Sequence, residues 1–489
     1  MPPRRERAIV LGASLAGLFT ARVLSEFFDE VTLVDRDTLP DGPIPRKGVP
    51  QGWQCHGLHA RGREILEELF PGLTDELVAS GARMGDVQQD VRWVNDGHRL
   101  RKAVSGMRGI GFTRPLLEHL VRARVRALPG VSFATPVEVL ELVAAGDRVT
   151  GVRLRVRGTV GNGEDMPADL VVDATGRGSH APVWLAALGF QKPAESSIEV
   201  GVGYTTWEFP RHPGDLGGDL GAVLGPTVAN SRFGAMLASE GNRWQVTAGG
   251  YLGECASATD VAAFRRFART LPAPDIGELI ADREPLGPGR LHRFPSSRRR
   301  HYERLSRFPH GLLVVGDALS SFNPAYGQGM TVAAVEALAL RDLLRASTGH
   351  DVPAARFFRR AARIVDVPWG IAAGGDLRLP GVRGPRPLQV RLVNAYVARV
   401  LAASAVDPAV GRAFLRVANT VDRPERLLRP SVALRVLRAG RAPAHAHGDA
   451  GPTGILPRPR NSVEVGAART LAEERSVPPV GIEPTLGPF

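Results

Sequence analysis

The apolar positions near the amino terminus predict a strand, a helix and a second strand in quick succession. Residues 8–11 form a short apolar run typical of a buried strand, and residues 31–34 form another. Between them, apolar residues recur at helical spacing over positions 18–27. The pattern therefore predicts a βαβ unit within residues 7–36, which is a building block of α/β folds.

A glycine-bearing turn joins the first predicted strand to the helix. Gly12 lets the chain turn sharply out of the strand, and Gly17 lets the helix pack closely against it. Ser14 replaces the second glycine of the usual fingerprint, so the match is G-x-S-x-x-G. The helix N-terminus offers N–H groups to phosphates, and a carboxylate after the second strand can hold ribose hydroxyls. The predicted dinucleotide site comprises Gly12, Ser14, Leu15, Ala16, Gly17, Asp35 and Arg36.

Two alternatives compete with a dinucleotide site at this turn. An ordinary α/β unit also uses glycine turns, and Arg4, Arg5 and Arg7 before an apolar segment resemble the start of a secretory signal. The charged residues Arg22 and Glu26 and the lack of a small-residue cleavage site argue against export.

In the middle of the chain, apolar and polar residues alternate with the period of two that is typical of strands. Residues 91–94 and 99–104 predict a hairpin around an Asn-Asp-Gly turn, and residues 131–157 predict three strands after a helix over 116–128. A buried strand ending at Asp173 leads into a second glycine turn at Gly176. Residues 197–255 predict an antiparallel sheet, followed by short helices near 260–271 and 275–282. Five aromatic residues of this region either line a pocket for an apolar substrate or belong to an ordinary core: Trp207, Phe209, Phe233, Trp244 and Tyr251.

A third glycine-bearing stretch follows the apolar run at 311–316. The run delivers Asp317 at a strand end, where a carboxylate could accept a hydrogen bond from a polyol chain. A loop with two glycines then opens a helix that continues to about residue 345. The N–H groups of residues 327–330 would face a group that carries negative charge. The predicted contacts here are Gly316, Asp317, Pro324, Gly327, Gly329 and Met330.

The last part of the chain predicts helices and then a tail. Residues 346–440 have helical periodicity, with proline breaks expected at positions 353, 368, 380 and 408. Residues 390–401 predict an amphipathic helix that packs against the body, with contact to a membrane surface as the less favoured alternative. Residues 441–489 are rich in Pro, Gly and Ala and predict a disordered tail without a selected role.

Composition narrows the classes of function. The chain of 489 residues is 43% hydrophobic and 23% charged, as in soluble globular proteins, and contains no apolar run long enough for a bilayer. Its two cysteines, Cys55 and Cys255, cannot build a disulfide framework, so a reducing cytoplasm is expected. Cys55, His56 and His59 are an incomplete set of metal ligands, and no metal site is predicted.

The net charge of +12 invites a nucleic-acid interpretation, which the distribution of charge disfavours. Lysine occurs only at positions 47, 102 and 192, and the arginines are scattered among Ala, Gly and Pro. The one cluster, residues 298–300, is expected to be a solvated surface strip. We therefore expect no nucleic-acid partner.

The three glycine motifs, in this order, resemble those of FAD-dependent monooxygenases of the aromatic-hydroxylase (p-hydroxybenzoate hydroxylase-like) fold over about residues 7–345. The resemblance implies an α/β fold: a Rossmann-like FAD-binding domain of the glutathione-reductase type, an antiparallel-sheet substrate domain and a C-terminal helical region. It implies a discontinuous FAD domain over 1–90, 105–190 and 296–345, a substrate domain over 91–104 and 191–295, helices over 346–440 and a tail over 441–489. Arg114 matches the family arginine that opens a helix beside FAD.

Within that fold, residues 46–51, which begin with Arg46, and residues 174–179, which include Gly176, are similar to those of actinobacterial polyether-type epoxidases. The resemblance implies that Arg46 and Gly176 contact FAD. These epoxidases act on alkenes of polyketide chains. Two departures from the family bear on the electron donor: Thr175 stands where the family has an aspartate, and Leu319-Ser320 where Ala-His is common. NAD(P)H or a separate flavin reductase is therefore expected as the source of electrons.

The implied function is insertion of one O₂-derived oxygen into a small apolar organic substrate, by epoxidation or hydroxylation, through the C4a-hydroperoxide of reduced FAD. Secondary metabolism is the expected setting, and no side chain is assigned as catalytic acid or base. The main alternative is an FAD-dependent reductase or dehydrogenase of the same fold that acts on a prenyl or polyene chain. A halogenase is disfavoured because the Trp-x-Trp-x-Ile-Pro signature is missing. A basic protein that binds nucleic acid or anionic membrane is the alternative from another class.

Overall fold

The computed structural model describes residues 5–347 and 351–439. The predicted tail over 441–489 lies outside the described residues. No helix within the described ranges combines the length and the hydropathy needed to cross a bilayer.

In the described part of the chain there are nineteen strands and twelve α-helices. The strands are β1 Arg5–Leu11, β2 Phe28–Val34, β3 Cys55–Leu58, β4 Arg83–Asp86, β5 Val91–Asn95, β6 His98–Arg99, β7 Arg108–Thr113, β8 Val131–Ala134, β9 Val137–Ala145, β10 Arg148–Val156, β11 Glu164–Pro167, β12 Leu170–Asp173, β13 Glu195–Pro210, β14 Gly221–Leu224, β15 Arg232–Ser239, β16 Arg243–Gly250, β17 Arg290–Arg300, β18 Leu312–Val314 and β19 Ser320–Ser321. The helices are α1 Leu15–Leu24, α2 Ala60–Leu69, α3 Leu73–Ala79, α4 Arg114–Arg126, α5 Ala181–Ala187, α6 Val261–Ala268, α7 Asp275–Leu279, α8 Gly329–Ala346, α9 Ala354–Asp376, α10 Leu388–Ser404, α11 Pro408–Ala418 and α12 Pro430–Ala439.

A parallel sheet in the order β18-β12-β1-β2-β8 forms the first layer of the fold. Its central strand, β1, pairs with β12 on one side and with β2 on the other. The apolar half of β1, residues 8–11, is completely buried because helices cover this part of the sheet. The predicted βαβ unit is confirmed, and α1 packs against α8, the helix that follows the third glycine motif.

The carboxyl ends of β1 and β12 come so close that only a glycine fits between them. Gly12 has a φ of +97°, and a Cβ placed on it would lie 2.7 Å from the carbonyl oxygen of Ala174, just after β12. A Cβ on Gly17 would lie only 1.8 Å from the carbonyl oxygen of Gly12. Both glycines therefore have the steric roles expected from the sequence, and the chain changes direction here at the carboxyl-terminal edge of the parallel sheet.

An eight-stranded sheet in the order β19-β17-β13-β16-β15-β14-β5-β6 forms the second layer. Its pairings are antiparallel except for β14 with β5, as expected for residues 197–255. The predicted hairpin joins its edge, although its second strand is shorter than the expected 99–104: β6 ends at Arg99, and it meets β5 at a turn where Asp96 and Gly97 both have positive φ. The α/β fold with a parallel Rossmann-like sheet, an antiparallel sheet and C-terminal helices is thus confirmed.

The aromatic residues of the antiparallel sheet divide between its two faces. Trp207, Phe209 and Trp244 belong to a core formed with α6 and α7. Phe233 and Tyr251 lie in a different cluster, which contacts the C-terminal end of α9. Only this second pair faces the side on which a ligand could bind.

The expectation of a solvated strip at residues 298–300 was wrong. These arginines end β17, a strand inside the antiparallel sheet, and Arg299 and Arg300 are buried. Arg299 donates to Asp366 at 2.7 Å, and Arg300 donates to Glu195 at 2.9 Å. Buried arginines need such partners, and these join β17 to α9 and to β13.

The C-terminal region is helical, with one difference from the predicted proline breaks. Pro353 and Pro408 lie at the starts of α9 and α11, and Pro380 lies between helices, but Pro368 is inside α9. A proline in a helix interior costs about 3 kcal/mol because it removes a hydrogen bond and clashes with the preceding turn. The tertiary contacts of α9 with α8 and with the antiparallel sheet keep the helix continuous across it.

Replacement of Gly17 by alanine should destabilise the fold. Alanine is the better helix former by about 1 kcal/mol, yet the new Cβ would overlap the Gly12 carbonyl, and overpacking costs about 1–3 kcal/mol. We expect a lower denaturation midpoint for Gly17→Ala. Gly287→Ala is the control, because a Cβ there has no atom within 4 Å. A Gly17→Ala variant as stable as the wild type would contradict the packing described here.

Candidate active site

One cavity of about 1740 Å³ connects the parallel sheet, the antiparallel sheet and the C-terminal helices. We call it the central cavity. The predicted site residues that line it are Gly12, Ser14, Leu15, Ala16, Asp35, Arg36, Arg46, Arg114, Gly176, Gly316, Asp317, Pro324, Gly327, Gly329 and Met330. Gly17 alone among the predicted residues is not in its lining, since it is packed beneath the turn. The three glycine turns thus meet along one elongated space.

A buried charge cluster forms one end of the central cavity. Arg46 and Arg114 line the cavity, while the carboxylates of Asp37 and Glu118 lie behind them. Arg46 contacts Asp35 at 3.2 Å and Asp37 at 3.1 Å. We call these five residues the arginine cluster. Its acids hold the two guanidinium groups in place at the cavity wall.

Glu118 explains how a serine can stand at the second glycine position. The Ser14 hydroxyl donates to Glu118 at 2.5 Å and accepts from Arg114 at 3.0 Å. Burial alone would raise the pKa of Glu118, but the charges of Arg114 and Arg46 outweigh it and lower the pKa. The carboxylate is therefore charged and keeps Ser14 and Arg114 fixed.

Asp35 has more partners than its expected role requires. Its carboxylate accepts from the Ala13 N–H at 2.8 Å and from Arg46 at 3.2 Å. It still lines the cavity, so a ribose hydroxyl would meet an acid that is already oriented by protein contacts. Arg36, the next residue, is exposed at the same end.

The arginine cluster fits the diphosphate of a dinucleotide. Nε of Arg114 is buried without a hydrogen-bond partner, and Nε of Arg46 has only Glu118 at 3.7 Å, beyond hydrogen-bond distance, so donor capacity of both guanidinium groups is unused. The N-terminus of α1 begins at Leu15 on the same wall and adds N–H groups and the positive end of its dipole. These features favour an anionic group at this end.

Asp317 and Glu336 form an acidic pair farther along the cavity. Asp317 follows β18 and is exposed to the cavity, although protein surrounds the site and burial raises its pKa. Behind it, the fully buried Glu336 of α8 accepts from the Gly316 N–H at 2.6 Å. Burial raises the pKa of Glu336 to about 8, and the charge of Asp317 adds to the shift. Glu336 thus fixes the turn that presents Asp317.

The loop of residues 323–330 follows and is fastened from three sides. The Asn323 side chain accepts from the Ala325 N–H at 3.1 Å and donates to Tyr251 and to Asp376, both at 2.9 Å. Asp376 ends α9 and also accepts from Tyr251 at 2.9 Å. Burial raises the pKa of Asp376 to about 7, and the hydrogen bonds from Tyr251 and Asn323 counteract part of the shift.

Two histidines lie opposite this loop. His56 and His59 line the cavity, and burial lowers the pKa of each to about 4, so both are neutral at pH 7. His56 Nδ1 lies 2.7 Å from the Gln54 carbonyl oxygen, and the His59 ring lies beside Gly327. Within residues 5–347 and 351–439, no three His, Cys, Asp or Glu side chains are grouped closely enough to hold a metal ion.

The second glycine turn joins the two sheets. Asp173 is fully buried and accepts from Thr175 and Ser179, so the acid of this turn points away from the cavity. Arg177 lines the cavity and donates to the Ser296 carbonyl at 2.6 Å in β17. Gly176 has a φ of +77° and leaves the cavity open where a side chain would project.

The family match covers nearly the whole of this arrangement. The family described as FAD binding domain matches residues 5–352, which include all three glycine turns and the arginine cluster. The chain belongs to this family of FAD-dependent monooxygenases.

A relative and two solved structures extend over most of the monooxygenase. Protein Rv3254 of Mycobacterium tuberculosis (strain ATCC 25618 / H37Rv) is 35% identical over 458 residues, 90% of this chain and 94% of the relative. A flavoprotein/dehydrogenase from Cytophaga hutchinsonii has a TM-score of 0.63 at 16% identity, over 89% of this chain and 98% of that one. The p-nitrophenol 4-monooxygenase of Pseudomonas putida DLL-E4 has a TM-score of 0.59 at 16% identity, over 85% and 99%. The two structures are similar in fold.

Several polar residues of the monooxygenase site were missed from the sequence. Glu118 lies four positions after Arg114, a spacing that places both on one helix face, so this pair had a readable signal. Glu336 is an isolated acid within an otherwise apolar stretch of α8, which is also a signal. Arg177 lies within the 174–179 motif, but its bond to Ser296 could not be predicted, and Asp376 had no signal, because the partners of both are distant in sequence.

Glu336 should make the stability of the monooxygenase depend on pH. Its pKa rises from 4.5 to about 8 on folding, so the folded state binds more protons in this interval and stability falls as pH rises through it. Glu336→Gln keeps an acceptor for Gly316 and does not titrate. As the pH rises from about 5 to about 8, we expect the denaturation midpoint of the wild type to fall relative to that of Glu336→Gln. The exposed Glu278→Gln is the control, and parallel curves for Glu336→Gln and wild type would contradict this assignment.

Proposed function

We propose that this FAD-dependent monooxygenase inserts one oxygen atom of O₂ into an apolar organic substrate, by epoxidation or hydroxylation. The observation that carries the proposal is the single cavity that joins the arginine cluster, Asp317, the 323–330 loop and the inner face of the antiparallel sheet. It has room for both a dinucleotide and a substrate, because small-molecule sites commonly measure about 300–1,000 Å³.

We infer that FAD lies along the cavity from the arginine cluster to the 323–330 loop. Arg46, Arg114 and the N-terminus of α1 would hold the diphosphate, and Asp35 the adenosine ribose. Asp317 would accept from the ribityl chain, and Gly327 and its neighbours would contact the ring system. The full set of proposed contacts is Gly12, Ser14, Leu15, Ala16, Asp35, Arg36, Arg46, Arg114, Gly176, Gly316, Asp317, Pro324, Gly327, Gly329 and Met330. Gly17 would support the first turn from beneath without touching the cofactor.

In this proposal the protein positions and shields, while the cofactor supplies the oxidising chemistry. Bound FAD, once reduced, would supply the two electrons that activate O₂, so that one oxygen atom enters the substrate and the other leaves as water. The backbone N–H groups at the start of α8 would stabilise negative charge on the ring system. Neutral His56 and His59 and the apolar wall at Phe233 would keep this part of the cavity poor in charge and in water.

We extend this proposal to the class of substrate and to the source of electrons. The resemblance of residues 46–51 and 174–179 to polyether-type epoxidases favours an alkene of a polyketide-like chain as substrate. Thr175 offers no carboxylate to the cavity, since Asp173 is turned inward. We therefore propose that a separate flavin reductase can replace direct reduction by NAD(P)H.

Asp317→Ala should lower flavin content without lowering the stability of the flavin-free protein. A hydrogen bond to a charged group contributes about 1.5–3 kcal/mol, so the dissociation constant of FAD should rise roughly tenfold or more. Burial already disfavours the Asp317 charge, so its removal should not reduce the melting temperature. Flavin absorbance per protein and thermal unfolding measure both effects. Asp282→Ala, on the surface, is the control, and an unchanged FAD affinity would refute the role of Asp317.

Turnover should consume O₂ in proportion to product. We expect the FAD-loaded protein to oxidise NADH or NADPH, or to accept electrons from an added flavin reductase, when alkenes or phenols are supplied. An oxygen electrode and mass spectrometry with ¹⁸O₂ would detect incorporation of one labelled atom. Substrate conversion without O₂ uptake would favour the reductase or dehydrogenase instead.

A further inference from the structure

The second half of α9 has a composition that opposes a helix. Residues 368–375 contain Pro368, Gly370, Gly374 and Gly375. Proline and glycine are the two residue types with the lowest helix propensity. Packing explains Gly375, because a Cβ there would lie 2.5 Å from the Tyr326 hydroxyl. It does not explain Gly370 or Gly374, since a Cβ at either position would have no atom within 4 Å.

Gly370 and Gly374 both line the central cavity. They are four positions apart and therefore lie on one face of α9, one turn from each other. We call this the glycine face. It exposes bare helix backbone to the cavity, where larger side chains would take up space that the protein itself leaves open.

The glycine face lies beside the 323–330 loop, which is the proposed flavin-ring contact. The Trp369 and Phe322 rings have centroids 6.4 Å apart, and Asp376 accepts from Asn323 at 2.9 Å. Gly375 meets Tyr326 of the same loop. A molecule resting on the glycine face would therefore be adjacent to the reacting end of the cofactor.

The walls around the glycine face are mainly apolar. They come from α10, α11, the turn after α11 and the antiparallel sheet, with Val390, Val397, Phe414, Leu427, Val223 and Phe233 as representative residues. Two of the polar groups here are paired within the protein: Asn394 donates to the Gly374 carbonyl at 2.8 Å, and Arg378 contacts Asp96 at 2.6 Å. Such a compartment favours an uncharged hydrocarbon skeleton over an anionic or cationic ligand.

We propose that the glycine face is the floor of the substrate compartment and that it accepts a flat or extended hydrocarbon skeleton larger than a single aromatic ring. The inference rests on the proposed function, because it places the oxygenated carbon beside the flavin. The bare backbone at Gly370 and Gly374 allows close contact with a planar or chain-like surface. The C-terminal helices therefore take part in substrate binding together with the antiparallel sheet.

Filling the glycine face tests this inference. The probe is the neutral fluorophore N-phenyl-1-naphthylamine, added to FAD-loaded protein without an electron donor, with energy transfer to the flavin as a second readout. We expect Gly374→Leu and Gly370→Leu to weaken probe binding at least tenfold and to abolish the transfer. Leucine forms helices better than glycine, so flavin content and melting temperature should not fall. Gly287→Leu, at an open glycine outside the cavity, should bind the probe like wild type.

The outcomes separate this inference from the proposed function. Wild-type probe affinity in both leucine variants would overturn the glycine face as a substrate floor, whatever the oxygen chemistry. Tenfold weaker binding with normal flavin content would support it even if the wild type consumed no O₂. Gly374→Ala, which adds one methyl group, should reduce the affinity for the probe less than Gly374→Leu does. The opposite order would also count against the glycine face as a substrate floor.

Discussion

The close approach of the turns after β1 and β12 is the constraint on which the site depends. No side chain fits between Gly12 and the carbonyl of Ala174, so the two strands deliver their loops to one edge of the sheet without a gap. The neighbouring strand β18 adds the Asp317 turn to the same edge. Any side chain at position 12 would push these loops apart, and the wall of the central cavity would no longer be continuous there.

Buried charge is distributed along the cavity according to the available partners. In the arginine cluster each acid faces a guanidinium group, and Glu118 keeps its charge in spite of its burial. Asp317, Glu336 and Asp376 have fewer compensating charges, and burial raises the pKa of all three. One end is thus arranged for a permanently charged group, while the other tolerates little charge. This difference suits a ligand that carries an anionic diphosphate at one position and an uncharged ring system at another.

The parts of the fold that depend on local sequence could be predicted, and those that depend on distant partners could not. Apolar periodicity and glycine turns act over a few residues, which is why the βαβ unit and the hairpin at Asp96 were found. The arginines of β17 could not be placed, because their acids, Asp366 and Glu195, lie 67 and 105 positions away. The bonds of Asp376 to Tyr251 and Asn323 are equally remote in sequence.

A wrong prediction from local sequence can still be informative, as the interior of α9 shows. Local propensity predicts a helix break at Pro368, but the tertiary packing of α9 overrides that propensity. A sequence keeps locally unfavourable residues where another requirement is stronger. For Gly375 the requirement is the Tyr326 hydroxyl, but for Gly370 and Gly374 the protein offers none of its own. The cost of two glycines in this helix turn, where both face open space, is understandable if their contact partner is a molecule that the cavity admits.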